Sequence, residues 1–328
     1  MNRRHFIRNS TLGSIGAAAA LPFSSYAKSN VMPAIRFGIC TDLHQDFIPD
    51  APHRLGAFMD DMHHQKPDFI IQMGDFCCPL VKNQEIMDIW NQYKGPSYHV
   101  VGNHDLESGK YDRKELIDFW GLKAPYYAFD LKGYHFVVLD GNEHNPAHKT
   151  PWKYERFIGD AQLDWLEKDL EQTNLPVIVF LHQGLDNDGG IENATKVRQV
   201  FYRANQKAGR IKVKLVFTGH HHQDYHNTII GIHYLQINSA SYHWQGSDYP
   251  LSPYGKRFSS TYPLMKYMAH YKDPLWALID ISADGVLQVH GRRSSFLGPS
   301  PVELGMPPYA FAYPVVPEIS DRRIHLDS

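Results

Sequence analysis

The feature that most constrains this chain is a repeated arrangement in which a short apolar run is followed at once by acidic, amide or imidazole side chains. Five such runs occur between residues 35 and 222. They lead to Asp42 and His44, to Asp75, to Asn103 and His104, to His182, and to His220 and His222. Buried strands of a parallel sheet are apolar, and binding groups lie just beyond their carboxyl ends. The pattern therefore predicts an α/β fold with one polar site at the edge of a sheet.

Amphipathic helical segments separate these runs, which supports alternating strands and helices. One helical face is formed by Leu55, Phe58, Met59 and Met62. Two further runs, residues 126–130 and 134–140, flank Lys132 and Gly133 and predict a hairpin, so we expect mixed sheets. Residues 228–237, 276–281 and 286–290 are predicted to be strands of a second sheet.

The composition is that of a globular protein of 328 residues with 43% hydrophobic residues, enough for a sizeable core. The formal net charge of −2 gives no electrostatic reason to expect a nucleic-acid or membrane-surface partner. Three cysteines, Cys40, Cys77 and Cys78, are too few for a disulfide framework. They are either metal ligands or, as we favour, small buried hydrophobic residues.

The amino terminus has the three parts of an export signal. Arg3, Arg4 and Arg8 form a basic region, residues 12–23 are weakly hydrophobic and too short to span a bilayer, and residues 25–27 offer a small-x-small cleavage site. The paired arginines resemble a twin-arginine signal. We expect residues 1–27 to direct export to the periplasm or cell envelope, with a frayed basic terminus as the alternative. Residues 34–295 are predicted to form the domain, with residues 296–328 as an extended segment packed on it.

The site residues form a mixed oxygen and nitrogen donor set without thiolates, which suits Mn, Fe or Zn. In order along the chain, their motifs resemble those of the calcineurin-like metallophosphoesterases. The motifs are Asp42-Leu43-His44, Gly74-Asp75, Gly102-Asn103-His104-Asp105, His182 and Gly219-His220-His221-His222. The resemblance implies a four-layered α/β/β/α sandwich with two metal ions at the strand ends.

The resemblance also implies a role for each site residue. One metal is assigned to Asp42, His44, Asp75 and His222, and the second to Asp75, Asn103, His182 and His220. Asp75 is the expected bridge, because a carboxylate has two oxygens. His104 is the expected proton donor to the leaving oxygen, and Asp105 the carboxylate that orients its ring. Many relatives place a polar or acidic residue shortly after the bridging aspartate, whereas this chain has Phe76-Cys77-Cys78-Pro79.

The function implied is hydrolysis of a small phosphorylated compound, and we favour a phosphodiester over a phosphomonoester. A protein of another class, which binds metal or recruits a partner without catalysis, is the alternative. His104 and Asp105 argue against it because metal binding alone does not require them. Asn103, Tyr242 and His243 are candidate substrate contacts. Arg257, Arg292 and Arg293 are further candidates for contacts with phosphate oxygens.

Overall fold

The computed structural model describes residues 35–148, 154–251, 256–310 and 313–326, so the predicted export signal lies outside the described residues. The strands are β1 (Ile35–Cys40), β2 (Phe69–Gln72), β3 (Ser97–His99), β4 (Tyr127–Leu131), β5 (Tyr134–Val138), β6 (Val177–Phe180), β7 (Val213–Thr218), β8 (Tyr225–Ile229), β9 (Ile232–Gln236), β10 (Tyr242–Trp244), β11 (Met268–His270), β12 (Ala277–Ile281), β13 (Val286–His290), β14 (Arg292–Arg293), β15 (Tyr309–Ala310), β16 (Tyr313–Pro314), β17 (Glu318–Ile319) and β18 (Arg322–His325). The α-helices are α1 (Ala51–Gln65), α2 (Gln84–Trp90), α3 (Arg113–Trp120), α4 (Asp160–Gln172), α5 (Ala194–Ala208) and α6 (Lys256–Thr261). Short 3-10 helices cover Val81–Asn83, Glu107–Gly109 and Met265–Tyr267.

Two six-stranded mixed sheets form the centre of the fold. The first has the order β18-β13-β12-β1-β2-β3, with β1, β2 and β3 parallel. The second has the order β4-β5-β6-β7-β9-β8, with β5, β6, β7 and β9 parallel. The predicted hairpin around Gly133 is confirmed as β4 and β5.

Two predictions about the later strands are wrong. Residues 276–281 and 286–290 supply β12 and β13 of the first sheet, where β12 pairs antiparallel with β1. Residues 228–237 are not one strand, because Ile230 and Gly231 both have positive φ and turn the chain between β8 and β9. Hydrophobic periodicity identifies a strand but does not specify which sheet it joins.

The two sheets pack face to face, and helices cover both outer faces, so the predicted α/β/β/α sandwich is confirmed. The inner layer contains stacked and edge-on rings of Phe37, Phe69, Phe136, Phe180 and Phe217. Apolar faces of α1, α2 and α3 cover the first sheet, and those of α4 and α5 cover the second. No helix in the described ranges is both long and apolar enough to cross a membrane.

Close packing of α1 on β1 positions the end of β1, where the polar site begins. A Cβ atom on Gly38 would lie 2.1 Å from Sδ of Met62, so a side chain at this position would force the Met62 side chain to move. Glycine therefore allows the close approach of α1 to the first sheet.

The carboxyl-terminal segment belongs to the domain core. Its strand β18 pairs with β13 as the edge of the first sheet, and Leu326 is buried. Arg322 donates two hydrogen bonds to the buried carboxylate of Asp224, at 2.7 and 2.9 Å. The segment predicted to pack on the domain thus supplies an edge strand of the first sheet.

Candidate dinuclear metal centre

All the predicted metal ligands lie at one edge of the two sheets, just beyond the carboxyl ends of β1, β2, β3, β6 and β7. Five of them have a left-handed backbone, with φ of 55° at Asp42, 55° at His44, 52° at Asp75, 74° at His220 and 52° at His222. Residues other than glycine rarely adopt this backbone conformation, which costs about 1–3 kcal/mol for each residue. Such strain, concentrated at one edge, is typical of a functional site.

The first cluster consists of Asp42, His44 and His222, all buried. Nε2 of His44 lies 3.1 Å from Nε2 of His222, and Oδ1 of Asp42 lies 3.1 Å from the same His222 nitrogen. Nδ1 of His222 donates to the carbonyl oxygen of Tyr242 at 2.7 Å, which leaves the lone pair on Nε2. Two imidazole nitrogens and a carboxylate oxygen therefore converge on one point, as around a cation.

Asp75 joins this cluster to a second one. Its Oδ2 lies 3.7 Å from Nε2 of His44 and 3.2 Å from Nε2 of His182. Its Oδ1 accepts a hydrogen bond from the backbone N–H of His104 at 2.8 Å, which fixes the carboxylate. His182 and His220 complete the second cluster. The geometry places Asp75 between the two groups, where a bridging ligand belongs.

Asn103 and the histidines offer lone pairs that the protein leaves unused. Both polar atoms of the Asn103 side chain are buried, and neither has a hydrogen-bond partner among the described residues. Nδ1 of His182 donates to the carbonyl oxygen of Met73 at 2.8 Å, so its Nε2 is the atom available as a ligand. Buried polar atoms are rarely left without partners. These residues therefore fit two metal ions, and their donors suit first-row divalent metals.

The electrostatics of the clusters also fit cation binding. Burial lowers the pKa of His44 to about 4, so this ring is neutral at physiological pH. Burial opposes ionisation of Asp75, but the surrounding histidines hold its pKa below the ordinary value, and His182 has the largest lowering effect. Burial also lowers the pKa of His182, yet Asp75 and Asp42 outweigh it and raise that pKa to about 9. The two aspartates therefore favour positive charge at this position.

The three cysteines do not belong to either ligand cluster within the described part of the chain. Cys40, Cys77 and Cys78 are buried and free, and burial raises the pKa of all three thiols. A protonated thiol is a poor metal ligand. The structure thus agrees with their interpretation as small buried hydrophobic residues.

His104 lies beside the clusters and faces a cleft lined by His44, Phe47 and Asp75. Its ring centre is 5.4 Å from that of His44 and 5.0 Å from that of Phe47. The side chain is half-buried, and no described residue is hydrogen-bonded to its Nδ1. His104 therefore sits next to the metal ligands without being one of them, where it can reach a bound substrate.

The prediction that Asp105 orients the His104 ring is wrong. Oδ2 of Asp105 accepts from the backbone N–H groups of Asp75 and Gly102, at 2.9 and 2.8 Å, and Oδ1 accepts from that of Phe76 at 2.6 Å. Burial and the nearby Asp75 charge raise the pKa of Asp105, and the amide donors oppose that rise. Its carboxylate thus holds together the two loops that carry Asp75 and Asn103.

Tyr242 and His243 do not form an open substrate wall, which corrects the prediction for both. Each is buried, and the Tyr242 ring packs against those of His44 and His222 at 5.0 and 4.8 Å. Nδ1 of His243 lies 3.1 Å from the carbonyl oxygen of His222. Both residues support a metal ligand, while substrate contact by Asn103 stays a prediction.

The predicted phosphate-binding arginines also have other partners. Arg292 lies over the ring of Trp276 at 3.6 Å, and Arg293 pairs with Glu318. The side chain of Arg257 lies outside the described part of the structure.

Tyr154 is a site residue that the sequence patterns did not identify. Its hydroxyl lies 3.1 Å from Nε2 of His220, and the two ring centres are 5.3 Å apart. When the phenol oxygen accepts from Nε2, the lone pair of His220 lies on Nδ1 and is available to a metal. Tyr154 comes from the loop between β5 and α4, which has no periodic pattern that would have pointed to the site.

Comparison with known proteins agrees with this geometry. A sequence profile described as calcineurin-like phosphoesterase matches residues 35–224. A manganese-dependent ADP-ribose/CDP-alcohol diphosphatase of Arabidopsis thaliana is 25% identical over 279 residues, which cover 63% of this chain and 86% of that protein. A 3′,5′-cyclic-nucleotide phosphodiesterase of Nostoc sp. is 21% identical over 232 residues, which cover 67% of this chain and 79% of that protein. The crystal structure of a dimetal phosphatase from Danio rerio has the same fold, with a TM-score of 0.58, 14% identity, and coverage of 79% of this chain and 96% of that one.

Proposed function

Because this chain belongs to the calcineurin-like phosphoesterase family and is a metal-dependent phosphoester hydrolase, we propose that its substrate is a phosphodiester or a diphosphate. In both kinds of compound the attacked phosphorus carries two substituents. The preference is supported by relatives named as a diphosphatase and as a cyclic-nucleotide phosphodiesterase. We propose manganese as one of the metals, since the Arabidopsis relative is named as manganese-dependent.

The observation that carries the proposal is the position of Asp75 between two ligand clusters, with His104 on the adjoining loop. Two divalent ions held there would lower the pKa of a water and would neutralise charge on phosphoryl oxygens. Asp75 lies beside His182 and Asp42 lies beside His222, and all four of these side chains are buried. The protein therefore presents a rigid anionic cradle that matches a pair of cations.

We assign His104 the transfer of a proton to the departing oxygen. Its backbone N–H is tied to Asp75, so the imidazole is fixed relative to both clusters. Its half-buried ring reaches the cleft, and a positioned general acid contributes about 10²–10⁴-fold to the rate. A group that leaves as an alkoxide needs such a donor, because an alkoxide is strongly basic.

The test compares bis(p-nitrophenyl) phosphate, a nucleoside diphosphate ester and p-nitrophenyl phosphate as substrates. We expect activity to disappear on chelation, to return with Mn²⁺, and to favour the first two compounds. His104→Ala is expected to retain its metal and to lose turnover of a 3′,5′-cyclic nucleotide, a phosphodiester whose leaving oxygen is an alkoxide, by about 10²-fold or more. A preference for the monoester would contradict the substrate assignment, and an unchanged rate in the variant would contradict the role of His104.

We also propose export by the twin-arginine route, supported by the arrangement of Arg3, Arg4 and the weakly hydrophobic stretch that follows. Replacing both arginines by Lys should leave the protein in the cytoplasm, as measured by cell fractionation. Unchanged export of this variant would count against the proposal.

A further inference from the structure

Two loops form a polar rim beside the second ligand cluster. One runs from β5 to α4 and contains Tyr154 and Arg156; the other follows His182 at the end of β6 and contains Gly190 and Glu192. Both loops leave the carboxyl ends of neighbouring strands, so they rise from the same edge of the sheet as the metal ligands.

Arg156 is anchored between these loops. Its Nη1 donates to the carbonyl oxygen of Gly190 at 2.9 Å, and its own carbonyl oxygen accepts from the N–H of Glu192 at 2.7 Å. Two residues earlier in the chain, Tyr154 reaches His220. Burial raises the pKa of Tyr154 and the Arg156 charge opposes that rise, consistent with a guanidinium close to the phenol. Arg156 thus lies on the rim close to Tyr154, which itself contacts the metal ligand His220.

The guanidinium of Arg156 forms no ion pair with a carboxylate in the parts of the chain that the structure describes, although its charge helps to lower the pKa of Glu192. The acidic residues of the same rim have other partners. Glu192 lies 2.8 Å from Nε2 of His148 and accepts from Asn145 at 2.6 Å, and Glu155 lies 2.8 Å from Nδ1 of His144. Arg156 uses one of its five N–H groups on Gly190, so a fork of donors remains for an anion.

We propose that Arg156, with Tyr154 beside it, forms a second anion subsite that binds the phosphoryl group farther from the metal ligands in a diphosphate substrate. This inference rests on the proposed function and narrows it to compounds with two linked phosphates. A guanidinium binds phosphate oxygens through paired hydrogen bonds. A phosphodiester with one phosphate has no second phosphoryl group to place against Arg156. The subsite therefore determines specificity, and Arg156 takes no part in bond cleavage.

Binding of non-hydrolysable probes tests the subsite without relying on turnover. The full metal-loaded chain is titrated by calorimetry with methylenediphosphonate, which has two phosphoryl-like groups, and with methylphosphonate, which has one. Hydrogen bonds to a charged group are worth about 1.5–3 kcal/mol, so Arg156→Gln should weaken methylenediphosphonate binding about 10- to 100-fold. The affinity of the Arg156→Gln variant for methylphosphonate should differ from that of the wild type by less than about threefold.

Two further variants serve as controls. Arg203→Gln removes the same charge from α5, where Arg203 pairs with Glu167, and should change neither affinity. Arg156→Lys keeps the positive charge and should bind methylenediphosphonate with an intermediate affinity. Equal losses for both probes in Arg156→Gln, or no loss for either, would overturn the subsite.

Kinetics then separate this inference from the proposed function. With a nucleoside diphosphate ester, Arg156→Gln should raise KM by about tenfold or more, and with bis(p-nitrophenyl) phosphate kcat/KM should stay within about threefold of the wild type. A wild-type enzyme that hydrolyses neither compound refutes the proposed function, while the calorimetry still decides the subsite. An active wild type with equal losses on both substrates refutes the subsite alone.

Discussion

Replacing Asp105 with Asn is expected to dismantle the metal centre and to destabilise the fold. The buried carboxylate accepts three backbone N–H groups, from Asp75, Phe76 and Gly102. The first group belongs to the bridging Asp75, the second belongs to Phe76 directly after it, and the third lies directly before Asn103. Asp105 is therefore a positioning residue for both clusters.

The size of the effect follows from these contacts. An Asn side chain keeps one acceptor oxygen, and its NH₂ group faces at least one backbone N–H that then has no acceptor. A hydrogen bond to a charged group is worth about 1.5–3 kcal/mol, and an unsatisfied buried donor costs about 1–3 kcal/mol. Since such terms are not additive, we expect a total loss of about 3–5 kcal/mol, a large fraction of the stability of an ordinary domain.

Urea unfolding and metal analysis of the same samples measure this prediction. Asp105→Asn should unfold at a lower urea concentration than the wild type and should bind metal more weakly. Asp118→Asn, an exposed residue on α3, is a matched control and should change neither property. Wild-type stability and metal content in Asp105→Asn, with only kcat reduced, would refute this reasoning and would support a direct action of Asp105 on His104.

Two other contacts lead to measurable expectations. Tyr154→Phe removes the hydroxyl that contacts His220, and loss of such an outer contact typically weakens metal binding about 10- to 100-fold. Competition with a fluorescent chelator measures the metal affinity of the variant. An unchanged affinity would argue against a role for Tyr154 in supporting His220. Nδ1 of His135 lies 2.6 Å from Oδ1 of Asp130, and its Nε2 lies 2.7 Å from Oδ2 of Asp169. Burial lowers the pKa of His135, but the two carboxylates outweigh burial and raise that pKa. Because the pKa of His135 is raised in the folded state, its contacts with the two carboxylates stabilise the fold fully below the ordinary histidine pKa of about 6.5. This stabilisation is lost as pH rises through the raised pKa. The difference in unfolding free energy between wild type and His135→Gln should therefore be larger at pH 6 than at pH 9, and a difference independent of pH would contradict the assignment.

The metal ligands were predictable because each follows an apolar run, and parallel strands bring their carboxyl ends to one edge. Proximity in sequence was a poor guide to contact. Asp105 adjoins His104, yet a left-handed turn at Asp75 and the chain direction after Gly102 aim its carboxylate at backbone amides. The pattern of residues 238–244 likewise suggested a wall, whereas the fold buries Tyr242 against two histidines.

Other features depend on tertiary placement that no local pattern encodes. Tyr154 and Arg156 lie on a loop without periodicity, and only the arrangement of neighbouring strands brings them to His220 and Gly190. Strand β18 is short and consists mostly of polar residues, and its pairing with β13 completes a sheet that begins almost three hundred residues earlier. Such long-range pairings are specified by the assembled core.

The metal content of the wild-type protein, measured by inductively coupled plasma mass spectrometry alongside hydrolysis of bis(p-nitrophenyl) phosphate, tests the central claim most directly. We expect two ions per chain, loss of activity when they are removed, and recovery as both are restored. In Asp75→Asn, which alters the ligand shared by both clusters, we expect fewer than two ions and little activity. Full activity in metal-free protein would contradict the account.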